Sequence, residues 1–218
     1  MHNFAYLLRT IFFSLIIKPF VYIALGYNVD GYENLPHKGP AILVANHNSH
    51  VDTMLLLSIF HCSEIAKIHP VAAADYFCNT KLKAFIFKTL LGIIPLNRKV
   101  NKSNKDSLFS GINEALKKNE MVIIYPEGTR GNDDTIKEFK TGVAHIAKEN
   151  PDVPIIPIYI NGPDKILPKL EIILVPFISD IYISEPLYWD NTNIKDFTSK
   201  IKNRITELKK LHKKKEIL

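Results

Sequence analysis

Hydrophobic positions fall into two regimes along this chain. From Phe4 to Tyr27 they are nearly continuous, and Lys18-Pro19 divides the stretch. The uninterrupted run Thr10–Ile17 is far short of the roughly 20 residues that cross a bilayer. Proline lacks the amide donor and crowds the preceding turn, so Pro19 is expected to break or kink a helix. The pattern predicts two short helices lying in or dipping into one leaflet. Three other readings fit the same residues. One is a tilted single span with Lys18 snorkelling. Another is a signal peptide, although no small-x-small cleavage site follows. The last is a core helix with Phe4, Leu7, Leu8, Ile11 and Leu15 at helical spacing.

From Ala41 onward, short apolar runs alternate with longer amphipathic ones. Ala41–Asn46, Met121–Pro126 and Val153–Ile160 read as buried strands, and Leu170–Pro176 and Ile181–Ile183 as possible further ones. The prolines at 154 and 157 suggest an edge strand or a strand end. Val51–Phe60, Lys81–Leu91, Ser107–Lys118, Phe139–Lys148 and Asp196–Leu211 read as helices. This alternation predicts a single α/β domain over residues 29–218, with a mostly parallel or mixed sheet flanked by helices and ending in a basic helix. Residues 1–28 read as a separate membrane-associated helical segment.

Composition narrows the partners. With 218 residues, 46% hydrophobic and 23% charged, the chain carries one sizeable core and is not disordered. Two cysteines, Cys62 and Cys78, make neither a disulfide framework nor a four-thiolate zinc site, and fit a reducing compartment. The net charge is +6, and Leu208–Leu218 alone holds five Lys against one Glu. A basic end together with an apolar end points to an anionic membrane surface. Nucleic acid is disfavoured, because no aromatics interleave with the basic tail and Arg is scarce.

Two polar clusters interrupt the apolar pattern. The first is Asn46-His47-Asn48-Ser49-His50-Val51-Asp52, where a strand gives way to a helix. Within one helix His47 and Asp52 would point about 140° apart. They meet only if His47 lies in the turn and Asp52 in the first helical turn, with Ser49 as N-cap in a capping box. Asp52 then holds one imidazole nitrogen and leaves the other as a general base. A pure helix cap, a metal site from His47, His50 and Asp52, and a Ser49 nucleophile are the alternatives. The metal reading lacks further clustered ligands, so no metal is expected. The serine reading lacks the Gly-x-Ser-x-Gly elbow. Glycine-rich nucleotide-binding motifs are also missing from the sequence.

The second cluster is Tyr125-Pro126-Glu127-Gly128-Thr129-Arg130-Gly131, directly after a strand. Only four of the 28 cationic residues are Arg, and two of these are Arg130 and Arg98. The planar guanidinium binds phosphate bidentately, which Lys does not. The glycines allow a ligand to approach the backbone closely. Glu127 either accepts from substrate hydroxyls or holds an Arg, and the bland alternative is a surface turn.

Four blocks in order resemble the lysophospholipid acyltransferase family of the bacterial 1-acylglycerol-3-phosphate O-acyltransferase type. They are Asn46-His47-x-Ser49-x-x-Asp52, Gly92-Ile93-Ile94-Pro95-Leu96-Asn97-Arg98, Tyr125-Pro126-Glu127-Gly128-Thr129-Arg130 and Val153-Pro154-Ile155-Ile156-Pro157, with Phe139-Lys140-x-Gly142 after the third. The resemblance covers roughly Gly31 to Gly162. It implies that His47 is the general base on a lysolipid hydroxyl and that Asp52 orients it. It implies a polar-head site from Arg98, Glu127, Gly128, Thr129, Arg130 and Lys140, and an acyl side at Pro154, Ile155 and Pro157. Acyl-CoA or acyl-carrier protein is the implied co-substrate, with no cofactor. A membrane lipid is the implied acceptor, met at the cytoplasmic face of the cell membrane by a peripheral or monotopic protein. Asn97, Tyr125 and Gly131 stand where the family commonly carries an acidic residue, Phe and Ser. The implied acceptor is 1-acylglycerol 3-phosphate, and the alternatives are a different lysolipid acceptor or a non-catalytic membrane-surface lipid-binding protein on the same scaffold; the presence of both His47 and Asp52 argues against the last.

Overall fold

A computed structural model describes residues 2–49, 51–74, 87–96, 108–131, 135–162 and 178–215. Among them, helix α1 (His2–Leu25) opens the chain, followed by β1 (Tyr27–Asp30) and β2 (Ala41–Ala45). Next come α2 (Val51–Ser58), α3 (Cys62–Ile65), β3 (Ile68–Ala73), β4 (Ile94–Leu96), α4 (Ser110–Lys117) and β5 (Met121–Ile124). The chain continues through α5 (Gly142–Glu149), β6 (Ile155–Asn161), β7 (Ser179–Ile183) and α6 (Ile194–Lys215). The expected strand over Leu170–Pro176 lies outside the described residues, as does most of the expected helix Lys81–Leu91.

The strands form one sheet in the order β1-β7-β6-β2-β5-β3-β4. All neighbours are parallel except β6 and β7. Both faces are covered, which is why the central strands are apolar at every position rather than at alternate ones. Leu43 and Ala45 face one core with α1, α2 and α3. Ile42 and Val44 face the other, under α4, α5 and α6.

Two expectations are corrected here. β6 is an interior strand despite its prolines. Pro154 precedes it. Pro157 lies one residue before the β7 ladder begins at Ile158–Ile183, so its missing N–H falls outside that ladder. The N-terminal residues form one unbroken helical run, not two helices. Its α-helical parts, His2–Phe12 and Lys18–Phe20, alternate with π-helical turns at Phe13–Ile17 and Val21–Leu25. Just before Pro19, the Lys18 amide bonds the Phe13 carbonyl five residues back, and this wider turn accommodates the ring.

The same widening sets which face is buried. Arg9, Phe13, Ile17, Val21 and Leu25 are all buried, each four residues after the last. In a pure α-helix a four-residue step overshoots a full turn by about 40°. The π turns take up that excess and keep one seam on the domain. Phe4, Leu7, Leu8, Ile11 and Leu15, the stripe of the core-helix alternative, are exposed.

Helix α6 packs through Phe197, Ile201, Ile205 and Leu208 on the sheet face opposite α1. Several of its cations are paired locally, Lys200 with Asp190 at 2.7 Å, Lys202 with Glu138 and Lys215 with Asp30. Its basic face is therefore a solvated outer face of the layer that lies away from α1.

Candidate active site

The site forms where β2 and β5 end side by side. Asn46 closes β2 with its side chain, which accepts from the Ile160 amide at 2.7 Å and donates to the Ile160 carbonyl at 2.9 Å. This clasp aligns β2 with β6 and leaves His47 as the first residue beyond the sheet edge. The chain then turns into α2. Ser49 Oγ accepts from the Val51 amide at 3.3 Å, and the Asp52 carboxylate reaches back to the Ser49 amide at 2.9 Å. Asp52 thus makes the expected return bond of a capping box, while the Ser49 hydroxyl caps Val51 rather than Asp52.

The cap also brings His47 and Asp52 together. Asp52 Oδ2 accepts from the Asn48 amide at 2.7 Å and stands 2.8 Å from His47 Nδ1. Asp52 is buried, and the imidazole is 18% exposed. A carboxylate beside Nδ1 takes the hydrogen bond from that nitrogen, so Nε2 carries the lone pair. His50, needed for the metal alternative, lies outside the described residues.

The turn after β5 grips His47 by its backbone. The His47 amide donates to Glu127 Oε1 at 3.1 Å, and its carbonyl accepts from the Gly131 amide at 2.7 Å. Glu127 is buried, and burial pushes its carboxyl above the usual range, against the pull of the His47 amide. It therefore holds the loop through His47, and no Arg among the described residues pairs with it. A Cβ at Gly131 would stand 3.1 Å from Glu127 Oε2, so glycine leaves room for the carboxylate.

Thr129, Arg130 and Lys140 are exposed around this turn. Gly128 has φ +72°, and a Cβ there would stand 2.6 Å from Lys140 Nζ. Gly128→Ala should cost about 1–2 kcal/mol from the left-handed backbone, read as a lower Tm. It should also displace the Lys140 ammonium. Lys137 was not foreseen: its Nζ donates to the Arg130 carbonyl at 2.7 Å and adds a third cation to the mouth of the site. Its only sequence signal was its place in the short basic stretch Lys137-Glu138-Phe139-Lys140.

Arg98 lies outside the described residues. Strand β4, which leads to it, is parallel to β5 through β3 and ends at the same sheet edge as His47. Pro154 and Ile155 are not brought to the histidine. Ile155 is level with Ile42, about 10 Å down the strand from the end of β2 at 3.3 Å per residue. There Ile155 bonds Leu187 in both directions, and the Pro154 carbonyl accepts from Ile42. These residues and Pro157, level with Val44, serve the sheet.

A sequence model of the acyltransferase family matches residues 26–161, a span that includes the His47–Asp52 pair and the Glu127–Arg130 turn. The chain belongs to the acyltransferase family. The acyltransferase is 31% identical over 173 residues to the chloroplastic 1-acyl-sn-glycerol-3-phosphate acyltransferase LPAT1 of Arabidopsis thaliana, covering 76% of this chain and 43% of that one. It is 29% identical over 213 residues to the chloroplastic 1-acyl-sn-glycerol-3-phosphate acyltransferase BAT2 of Brassica napus, covering 94% and 56%. It thus spans about half the length of these relatives. The fold is that of the crystal structure of the 1-acyl-sn-glycerophosphate acyltransferase PlsC from Thermotoga maritima. That match has a TM-score of 0.68 and 20% identity, and covers 94% of this chain and 93% of that one.

Proposed function

We propose that this acyltransferase moves an acyl chain from a thioester, acyl-CoA or acyl-carrier protein, to the free hydroxyl of 1-acylglycerol 3-phosphate, giving phosphatidic acid. The observation that carries this reading is the Asp52-held imidazole beside a cation-rich turn. The lipid hydroxyl gives its proton to His47 Nε2 as its oxygen attacks the thioester carbonyl. The C–S bond then breaks, and the imidazolium returns the proton to the departing thiolate. Asp52 stabilises the imidazolium and keeps the tautomer. Arg130, Lys137 and Lys140 bind the phosphate, with Arg98 as a further candidate from the family pattern.

The lipid contact is proposed through α1, which lies along one leaflet at the cytoplasmic face of the cell membrane. The run Phe4–Ile23 is long and apolar enough to cross a bilayer, with a mean hydropathy of 1.6. Its buried seam favours lying flat instead. Both of its cations turn inward, Arg9 to the carbonyls of Ala66 and Ile68 and Lys18 to the Phe60 carbonyl at 2.6 Å. The outward face is left to Phe4, Leu15, Ile16, Tyr22 and Ile23.

Thiol release from acyl-CoA and from acyl-carrier protein, in detergent with and without 1-acylglycerol 3-phosphate, tests the reaction. Acceptor-dependent release is expected with at least one donor; release with neither removes this acceptor. Arg130→Lys keeps the charge and loses the planar fork, so the acceptor KM should rise about tenfold with kcat nearly unchanged. An unchanged KM would take Arg130 out of the phosphate site.

A further inference from the structure

We infer that Tyr125 and Thr53 act as a coupled pair of positioning residues for His47. The inference rests on His47 being the base. The first turn of α2 supplies two adjacent residues that act on the imidazole from different directions. Asp52 bonds its edge at Nδ1. Thr53 bonds the phenol that lies against its face: Tyr125 Oη and Thr53 Oγ1 are 3.0 Å apart. The Tyr125 and His47 rings are stacked, with centroids 4.2 Å apart and planes 21° from parallel.

Each part of this support is itself fixed. Tyr125 follows the last residue of β5, and its carbonyl accepts from the Gly128 amide at 3.1 Å. Burial, and secondarily the Asp52 charge, hold the phenol well above its usual range, so it stays neutral. A neutral hydroxyl in a part-buried setting gains from a partner, and among the described residues Thr53 supplies it.

A single bond at Nδ1 lets an imidazole tilt about that bond. A ring packed against its face removes the tilt and aims Nε2. The stack also places a π face against the imidazolium that forms as the proton is taken. A Phe at position 125 would keep the stack and lack the anchoring bond.

The test is a kinetic double-mutant cycle with His47→Ala measured alongside. Tyr125→Phe and Thr53→Val should each lower kcat about fivefold with both substrate KM values unchanged. The double variant should also lose about fivefold, not the product, because both changes delete one bond. Thr53→Ser restores the hydroxyl and should recover kcat to within about twofold of wild type. Multiplicative losses, losses confined to KM, no loss in either single variant, or a Thr53→Ser variant as slow as Thr53→Val would each overturn the pair. Full activity in His47→Ala would instead overturn the base on which the pair is argued.

Discussion

His47→Ala is expected to lower kcat by about 10³-fold, at the centre of the range for a positioned general base, while the protein stays folded. The expectation of a folded variant has a specific ground. The loop contacts at this position, to Glu127 and Gly131, are made by the His47 amide and carbonyl, which alanine keeps. Only the stack on Tyr125 and the bond to Asp52 are lost. Acceptor KM should change little, because the proposed phosphate cations lie on the neighbouring turn. Acceptor-dependent thiol release beside a thermal melt checks both halves. Wild-type release from a folded variant would rule out the base; a variant that does not fold would show that the ring itself holds the site. Asp52→Asn should lose about 10²-fold or more, because a neutral amide oxygen does not stabilise the imidazolium as the carboxylate that now serves three donors does.

The second large effect is on stability, at the other end of the sheet. Arg9→Ala is expected to cost about 3–5 kcal/mol, from two buried carbonyls each left unsatisfied at about 1–3 kcal/mol. That is a large part of the roughly 5–15 kcal/mol that holds a domain together. Arg9 is 2% exposed, and its guanidinium donates to the carbonyls of Ala66, at 3.1 Å, and Ile68. Burial pulls it down to about 10, which leaves it charged at neutral pH. Alanine would orphan both carbonyls and leave a cavity. Beside it, Tyr6 donates to Glu120, and His69 stands between the Gly92 carbonyl, 2.8 Å from Nδ1, and Glu120, 3.0 Å from Nε2.

Gly92→Ala reaches the same clasp from its other side. Gly92 has φ +62°, and a Cβ there would fall 1.9 Å from Arg9 Nη1. A chemical melt of each variant in detergent is the measurement, and a loss under about 1 kcal/mol in both would show the clasp to be dispensable. Acid should loosen the clasp too. Burial raises the Glu120 carboxyl, but His69 and Tyr6 more than offset this and hold it below its ordinary value. A depressed carboxyl contributes stability that is complete above its unfolded value and is lost as pH falls through the folded one.

The His47–Asp52 contact was legible because it is local. A five-residue spacing across a helix cap leaves one geometry in which His47 and Asp52 meet, and the cap residues between them are the ones that build it. The Glu127–Arg130 turn was legible as chemistry, but the work of Glu127 was not. Its partner is the His47 amide, 80 residues away in sequence. The same holds for Gly92, which reads as a turn glycine until the guanidinium packed against it is seen, and for Lys137, which reads as one more surface lysine.

By itself the sequence determined the α/β class, the central strands and most helices, the meeting of His47 with Asp52, and the family. All of these rest on period, on capping or on motifs within a few residues. The tertiary structure alone decided which face of α1 is buried, since that depends on π turns and on the carbonyls of Ala66 and Ile68. It decided that β6 is central despite its prolines, since that depends on where β7 ends. It placed Pro154 and Ile155 far from His47 and set Tyr125 against the imidazole. Each of these is a contact between segments distant along the chain, and no local periodicity encodes the partner at the other end.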